Sequence, residues 1–359
     1  MLLFCDSFSH YTTLLQKWDN INSASPVISA TAARTQAAGL LFNAISGQCA
    51  VLKNFSVSRT VILGFAYQVK VSPSAGNNWV LCAFNDITGV SHVFVRLSPS
   101  GTFQFVRSTA ANNTTGVGAN IGPVSSLAIG GGWHYIEITI TIDPVVGAVE
   151  MRLDGNVIIT AQNVNTKNAA NNPNSTTQQL AIGNLLSNDA AVGTHYYADL
   201  YLNDTNGNQC NSYLGDVTVE AQLPSGNGTE NDFTRGGSVI NAQNWMQVDE
   251  VPPDDDTTYN FDSVVGHMER YTYPALVAAS TTIYALATWP RAEKTSAGAR
   301  NFRHIVASQG VVVDNGVDIG LAVGYTYPGM AAFYTDPATG QLWTQAGINA
   351  AETGFEITL

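Results

Sequence analysis

Alternation of apolar and polar residues over 132–160 limits most strongly how this chain can fold. Isoleucine occupies every second position over 136–142, and a period of two places these side chains on one face of a strand. Asp143-Pro144 ends that strand, and Asp154-Gly155-Asn156 provides a later turn where positive φ is tolerated. The segment therefore predicts an antiparallel meander with one buried face.

Short apolar runs recur along the first 222 residues, separated by turns rich in Gly, Pro, Asn and Ser, which is typical of a β sandwich. Only 12% of the residues are charged, as in β-rich extracellular or particle-borne proteins, while 45% are hydrophobic and can form a core. The composition changes after Val219. We expect a sandwich over 1–222, a linker or wrapping arm over 223–258 and a smaller β domain over 259–359.

The net charge of −12 argues against nucleic-acid binding, because no positive excess would offset phosphate repulsion. The opening MLLFCDSFSHY lacks the basic region of a signal peptide, and no stretch has the length of a membrane span. We therefore expect neither a secretion signal nor membrane insertion, with release only by cell lysis or within a particle.

Four cysteines, Cys5, Cys49, Cys82 and Cys210, occur without C-x-x-C spacing, which argues against a zinc site. Two alternatives remain open for them. All four are buried free thiols, or a Cys5–Cys210 bridge joins the first and last strands of the sandwich.

Trp133-His134-Tyr135 at the start of the long strand, followed by Leu153-Asp154-Gly155, resembles the concanavalin A-like, laminin-G-like jelly roll. The resemblance covers residues 1 to about 222 and implies an all-β, two-sheet sandwich. One departure is that Thr35-Gln36-Ala37-Ala38 replaces a glycine-rich strand entry, with only Gly39 remaining.

Further segments, taken in order, resemble particle proteins of tailed bacteriophages that carry this jelly roll: 4–11, Lys17-Trp18, 198–204, Gly207, 214–217, Asn244-Trp245, 248–250, 257–259, 336–340, Trp343-Thr344 and Gly354-Phe355. This resemblance implies a structural virion protein, located in the virion as part of a tail, baseplate, neck or head decoration. It also implies other virion proteins as partners and a homo-oligomer or symmetric assembly.

Catalysis is not expected from the sequence, because the patterns of the common hydrolases are missing. A retaining glycosidase needs two carboxylates ~5 Å apart, and Glu137 is followed on its face by Thr139 and Thr141 instead. No G-x-S-x-G, H-E-x-x-H or Walker A sequence occurs. We therefore expect no enzymatic activity and no cofactor.

A calcium site is one hypothesis for the oxygen-rich stretch that ends the sandwich. Asp199, Asn203, Asp204 and Asn206 carry the carboxylates and amides that Ca²⁺ prefers. The alternative is a plain Asn-Gly hairpin, which needs the same residue types.

Glycan binding is a second hypothesis, placed on Trp79 and Trp133 because each follows a loop rich in Gly or Asn. The alternative for both is a core tryptophan at a strand start. Two sets of residues are candidate contacts with partner subunits: the aromatics Phe233 and Trp245 in the arm, and the basic residues Arg270, Arg291, Lys294, Arg300 and Arg303 further along. The alternative for the basic set is a scattered, solvated face.

The resulting expectation is a non-enzymatic structural component of a phage virion, assembled through its β domains. A host-glycan or receptor-binding adhesin on the virion is the alternative, and a polysaccharide-degrading enzyme is the third hypothesis.

Overall fold

The computed structural model describes residues 1–23, 26–43, 47–109, 118–126, 128–168, 174–185, 193–277 and 282–359. The chain divides into two compact units. The first unit comprises Met1–Ser9 and Thr13–Val219, and the second comprises His10–Thr12 and Glu220–Leu359.

Antiparallel strands make up most of the first unit. Their bounds are β1 (Leu2–Asp6), β2 (Asn20–Ile21), β3 (Val27–Ser29), β4 (Gly39–Asn43), β5 (Cys49–Ser58), β6 (Thr60–Val71), β7 (Trp79–Asn85), β8 (Ser91–Leu97), β9 (Phe103–Ser108), β10 (Gly118–Ile121), β11 (His134–Thr141), β12 (Gly147–Leu153), β13 (Asn156–Val164), β14 (Thr177–Asn184) and β15 (Thr194–Asp204). Two short 3-10 helices, Leu14–Gln16 and Ala30–Ala32, lie between strands.

These strands form two sheets. The sheet that we call the β6 sheet has the order β13-β12-β11-β6-β15-β4-β3, with β1 also paired to β15. The β7 sheet has the order β10-β9-β8-β7-β14-β5-β2. The predicted meander is present as β11, β12 and β13, which are consecutive neighbours in the β6 sheet.

The core is formed by the side chains that alternate inward from the strands. Ile136, Ile138 and Ile140 of β11 are fully buried, as are Phe65 and Tyr67 of β6. Alternation turns the next side chains of both strands to the opposite face, away from the other sheet. We call this the outer face of the β6 sheet.

The regular secondary structure of the second unit is also mainly β strand. Its strands are β16 (Gly226–Asn231), β17 (Thr234–Gly236), β18 (Tyr259–Phe261), β19 (Met268–Thr272), β20 (Leu286–Thr288), β21 (Asn301–Ser308), β22 (Val311–Asp314), β23 (Ile319–Gly320), β24 (Ala331–Phe333) and β25 (Glu352–Ile357). One 3-10 helix, Trp245–Gln247, and one short helix α1, Gln345–Asn349, accompany them.

The main sheet of the second unit has the order β16-β19-β25-β21-β22, with β23 paired to β21. Residues 223–258, expected to be a linker or wrapping arm, supply β16 to this sheet and β17 to a ribbon with β18. Among the described residues, no helix has both the length and the apolar character required to span a membrane.

Candidate functional site

The centre of the outer face is a row of small and aromatic residues. Tyr135 on β11 lies opposite Ala66 on β6, which in turn lies opposite Ala198 on β15. In the next row Glu137 lies opposite Gly64, and Gly64 lies opposite Tyr201. Because β6 contributes only Ala66 and Gly64 to these two rows, it leaves room for the rings of Tyr135 and Tyr201.

Gly64 provides the space in which the Tyr201 ring lies. A Cβ atom at this position would come within 2.1 Å of the ring, so even alanine does not fit. Tyr201 faces outward because the pairing of β15 with β6 shifts between Ala198 and Tyr201, where Asp199 has a φ of 49°.

Glu137 and Tyr201 form a buried hydrogen-bonded pair at this centre. The Tyr201 hydroxyl donates to Glu137 Oε1 at 2.5 Å, and the Gly215 N–H donates to the same oxygen at 2.8 Å. The Leu214 N–H donates to the Tyr201 hydroxyl oxygen at 3.1 Å. Burial, followed by the nearby Glu137 charge, raises the pKa of Tyr201.

Residues 213–219 cross the outer face without regular secondary structure, and we call this segment the strap. Its residues Tyr213, Leu214 and Val217 pack against the cluster that contains Tyr135 and Tyr201. The strap therefore covers the middle of the outer face.

The Arg34 guanidinium group binds the C-terminal part of the strap. Arg34 Nη2 lies 2.6 and 2.7 Å from the two carboxylate oxygens of Asp216. Its Nη1 contacts Asp199 Oδ2 at 3.1 Å, and Asp199 Oδ1 also accepts the Val219 N–H at 3.0 Å. Thr35 donates its hydroxyl to the same carboxylate.

Tyr213, the first residue of the strap, makes a cation–π contact with Arg152. The Arg152 guanidinium lies 3.9 Å from the centroid of the Tyr213 ring, and its Nε contacts Glu150 Oε1 at 2.8 Å.

Beyond the strap, one end of the outer face carries two aromatic rings and an ammonium group. The half-buried rings of Trp133 and Tyr196 have centroids 6.4 Å apart. Lys70 is exposed, with Nζ 5.5 Å from the Tyr196 ring, and within the described residues it forms no salt bridge. We call Trp133, Tyr196 and Lys70 the open end of the outer face.

The turn after β12 fixes the position of Trp133. The Asp154 carboxylate accepts the Tyr135 N–H at 2.8 Å, and its other oxygen contacts His134 Nδ1 at 2.7 Å. Gln68 Nε2 donates to the Gly131 carbonyl at 2.7 Å on the other side. The loop that contains Trp133 is therefore held at both ends.

A groove of about 240 Å³ adjoins the open end. Lys70 lines it together with the loops that carry Ser98, Ser100 and Gly131. The Ser98 and Ser100 hydroxyl oxygens lie 2.8 Å apart, so the groove presents polar groups suited to sugar hydroxyls.

The two tryptophans of the glycan hypothesis have different environments. Trp79 is only 1% exposed, stacks on His195 with centroids 4.0 Å apart and donates its Nε1–H to the Tyr197 hydroxyl. Placing Trp79 in a glycan site is therefore a mistake, because its ring faces the interior. Trp133 stays a candidate.

The predicted calcium ligands have protein partners in the structure. Asp199 contacts Arg34 and Thr35, while Asp204 accepts hydrogen bonds from the backbone and side-chain amides of Asn206. Asn203 is buried, and both its side-chain polar atoms lack a partner within the described residues. Across the part of the chain that the structure describes, no three His, Cys, Asp or Glu side chains are grouped to hold a metal.

The candidate partner-contact residues lie in the second unit, and each basic one has a partner within that unit. Arg291 pairs with Asp255, and Arg303 pairs with Asp314 and Asp318. The remaining contacts are local ones: Lys294 to the Gly298 carbonyl, Arg300 to the Ala299 carbonyl, Arg270 to Glu230 and Glu352, the Phe233 N–H to Glu269, and Trp245 Nε1 to Gln243.

The structure decides between the two alternatives for the cysteines, free thiols or a Cys5–Cys210 bridge. Cys5, Cys49, Cys82 and Cys210 are all free thiols in the structure. Burial raises the pKa of Cys49 to about 12 and that of Cys210 to about 11. The proposed Cys5–Cys210 bridge is absent from the structure.

No protein-family model matches this chain, and no curated protein matches it. Among solved structures, a cellulose-induced protein, Cip1, is similar at 12% identity, with a TM-score of 0.41 over 60% of this chain and 100% of that one. An alginate lyase of polysaccharide lyase family 7 matches at 11% identity and a TM-score of 0.35, covering 52% and 84%. The Trypanosoma rangeli sialidase matches at 12% identity and a TM-score of 0.31, covering 46% of this chain and 25% of that one.

These similarities bear on three predictions. The predicted all-β jelly-roll sandwich is confirmed by the chain's own two antiparallel sheets. The structural virion component is wrong, because the similar structures bear the names of polysaccharide lyases, a sialidase and a cellulose-induced protein, with none naming a phage particle. The prediction of a non-enzyme is contradicted as well, since a lyase and a sialidase are among the similar structures, although their activities are not assigned to this chain. At identities of 11–12% and TM-scores of 0.31–0.41, these structures assign neither an activity nor a ligand to this chain.

Proposed function

We propose that this chain binds a polysaccharide at the open end of the outer face. The observation that carries the proposal is the pair of half-buried rings, Trp133 and Tyr196, beside the exposed Lys70. Aromatic faces with a few fixed polar groups are a common way to bind an amphipathic ligand such as a sugar ring.

Two features of the surroundings support the proposal. The loop that carries Trp133 is fixed by Asp154 and Gln68, so the binding surface loses little freedom when a ligand arrives. The adjoining groove of about 240 Å³ supplies the hydroxyl groups of Ser98 and Ser100. A sugar chain on the aromatic pair would therefore have polar partners alongside it.

The charge distribution is compatible with an anionic chain. Residues 1–219 contain nine Lys and Arg against eleven Asp and Glu, whereas residues 220–359 contain six against sixteen. Most of the negative charge thus belongs to the second unit, and the first unit is close to neutral. Lys70 then favours acidic sugars over neutral ones.

Titration calorimetry of the whole chain with sodium alginate and with hydroxyethylcellulose tests this proposal. We expect binding to alginate, and at least a tenfold loss of affinity in the double variant Trp133→Ala/Tyr196→Ala. Trp245→Ala, which removes a half-buried tryptophan from the second unit, is the matched control and should bind unchanged. Reducing ends are assayed in the same samples, since enzymes occur in this fold.

Absence of binding to both polymers would refute the proposal. Undiminished binding by the double variant would also refute it, provided that its circular dichroism spectrum matches that of the wild type.

A further inference from the structure

The strap occupies hydrogen-bonding positions that a ligand could use. Its Leu214 and Gly215 N–H groups donate to the Tyr201 hydroxyl and to Glu137 Oε1. A carboxylate and a phenol oxygen are acceptors that suit the hydroxyl groups of a sugar. The strap backbone therefore makes hydrogen bonds of the kind that the hydroxyl groups of a bound sugar chain would make.

These covered acceptors are continuous with the open end. Tyr135 lies between Glu137 of β11 and Trp133, which directly precedes that strand, and Tyr196 and Tyr201 both face outward from β15. Adjacent outward residues of one strand lie about 7 Å apart, so the distance from Trp133 to Glu137 is about 14 Å, the length of a few sugar rings. A chain lying along β11 from the open end would reach the strap.

The strap is attached by backbone hydrogen bonds and side-chain contacts instead of strand pairing, and its main ion pair is at the surface. The Asp216 side chain is 55% exposed, and an ion pair of such exposure contributes little to stability. The strap has no strand pairing in the structure, and its apolar contacts come from Tyr213, Leu214 and Val217. Its displacement does not require any strand of the sandwich to separate.

We propose that the polysaccharide site continues beneath the strap, as a covered subsite formed by Tyr135, Glu137, Tyr201 and Arg152. A long chain displaces the strap, and its hydroxyl groups take the places of the Leu214 and Gly215 N–H donors. This inference rests on the proposed function, because it assigns more of the same face to the same ligand.

A dependence on chain length follows from this arrangement. A short oligosaccharide occupies only the open end and leaves the strap in place. A long chain gains the covered contacts but must first displace the strap, which reduces its apparent affinity. Weakening the strap should therefore tighten the binding of long chains and leave short ones unaffected.

The test compares Asp216→Asn with Arg59→Gln. Asp216→Asn weakens the ion pair with Arg34, and Arg59→Gln removes a comparable surface ion pair with Asp143, in the turns next to β6 and β11. Affinities for an alginate dimer and for long alginate are measured by calorimetry. Hydrogen exchange of the Leu214 and Gly215 amides is followed in free and polymer-saturated protein.

We expect Asp216→Asn to bind long alginate at least threefold more tightly, with unchanged affinity for the dimer, and Arg59→Gln to behave as the wild type. The two amides should lose protection when long alginate is bound. If the polymer binds while both amides stay protected and Asp216→Asn gives no gain, the covered subsite is refuted and the open-end site survives. If no polymer binds, both proposals are refuted.

Discussion

The hydroxyl group of Tyr201 lies 2.5 Å from Glu137 Oε1, across a middle strand that carries only Gly64 between them. Strands β11 and β15 thus share a buried polar contact, although the two residues are 64 positions apart in the sequence. The contact fixes an acceptor pair on the outer face and explains why the middle strand has no side chain at that position.

Removing the Tyr201 hydroxyl should destabilise the first unit. Tyr201→Phe leaves the buried Glu137 carboxylate with one fewer donor, and a lost hydrogen bond of this kind costs about 1–3 kcal/mol of unfolding free energy. Urea unfolding followed by circular dichroism measures the change. Tyr196→Phe on the same face is the control, and an equal loss in both variants would contradict this account.

Filling the space at Gly64 should be more damaging than adding a methyl group elsewhere. Gly64→Ala places a Cβ atom against the Tyr201 ring, and overpacking of this kind costs about 1–3 kcal/mol or more. Gly132→Ala is the matched control, because a Cβ atom added there would meet nothing within 4 Å. Thermal melting of both variants decides the point, and a similar melting temperature for the two would refute the steric argument.

Acid should destabilise the first unit through His195. Burial against Trp79 lowers the pKa of His195 to about 3, so the folded state holds fewer protons than the unfolded state between about pH 6.5 and 3. The unfolding free energy is therefore unaffected by His195 above pH 6.5. It decreases as the pH falls below 6.5, with a limiting slope of about 1.4 kcal/mol per pH unit. Urea unfolding at several pH values should show a shallower dependence in His195→Asn, and an unchanged slope would exclude His195 as the cause.

The stability of the second unit should decrease as the pH rises, which is opposite to the effect of His195, because of Glu269. Burial raises the pKa of Glu269 to about 7, so the folded state holds more protons than the unfolded state between about pH 4.5 and 7. Stability from this group is present below pH 4.5 and decreases as pH rises to 7. We expect Glu269→Gln to raise the unfolding free energy at pH 8 relative to the wild type, and to have less effect at pH 4.5. A loss of stability at pH 8 would contradict the prediction.

Lys70 should determine the preference for acidic sugars. Lys70→Gln should weaken alginate binding about fivefold, close to 1 kcal/mol, which is typical of an exposed charge pair. Binding to hydroxyethylcellulose should not change, because that polymer carries no charge. Arg59→Gln is the control for loss of one positive charge, and equal weakening in both variants would indicate a general charge effect.

Local patterns were sufficient to predict much of the sandwich. Apolar runs bounded by turn residues predict strands over 60–71 and 79–85, and β6 and β7 have these bounds, because such runs depend only on local residues. The helical spacing of Tyr11, Leu14, Leu15 and Trp18 predicts a helix over 11–18, but only the 3-10 helix Leu14–Gln16 forms. The reason is tertiary: the side chains of Lys17 and Trp18 both contact the buried carboxylate of Asp6 on β1.

The sequence by itself determined the alternating strands, their turns and the two-sheet sandwich. Only the tertiary structure decided that Trp79 is a core residue while Trp133 lies on the outer face, since both follow similar loops. It also decided that Glu137, which has no acidic partner on its own strand, meets Tyr201 of β15 and the backbone of the strap. These relationships arise from pairing between strands distant in sequence, and no local pattern of residues encodes such pairing.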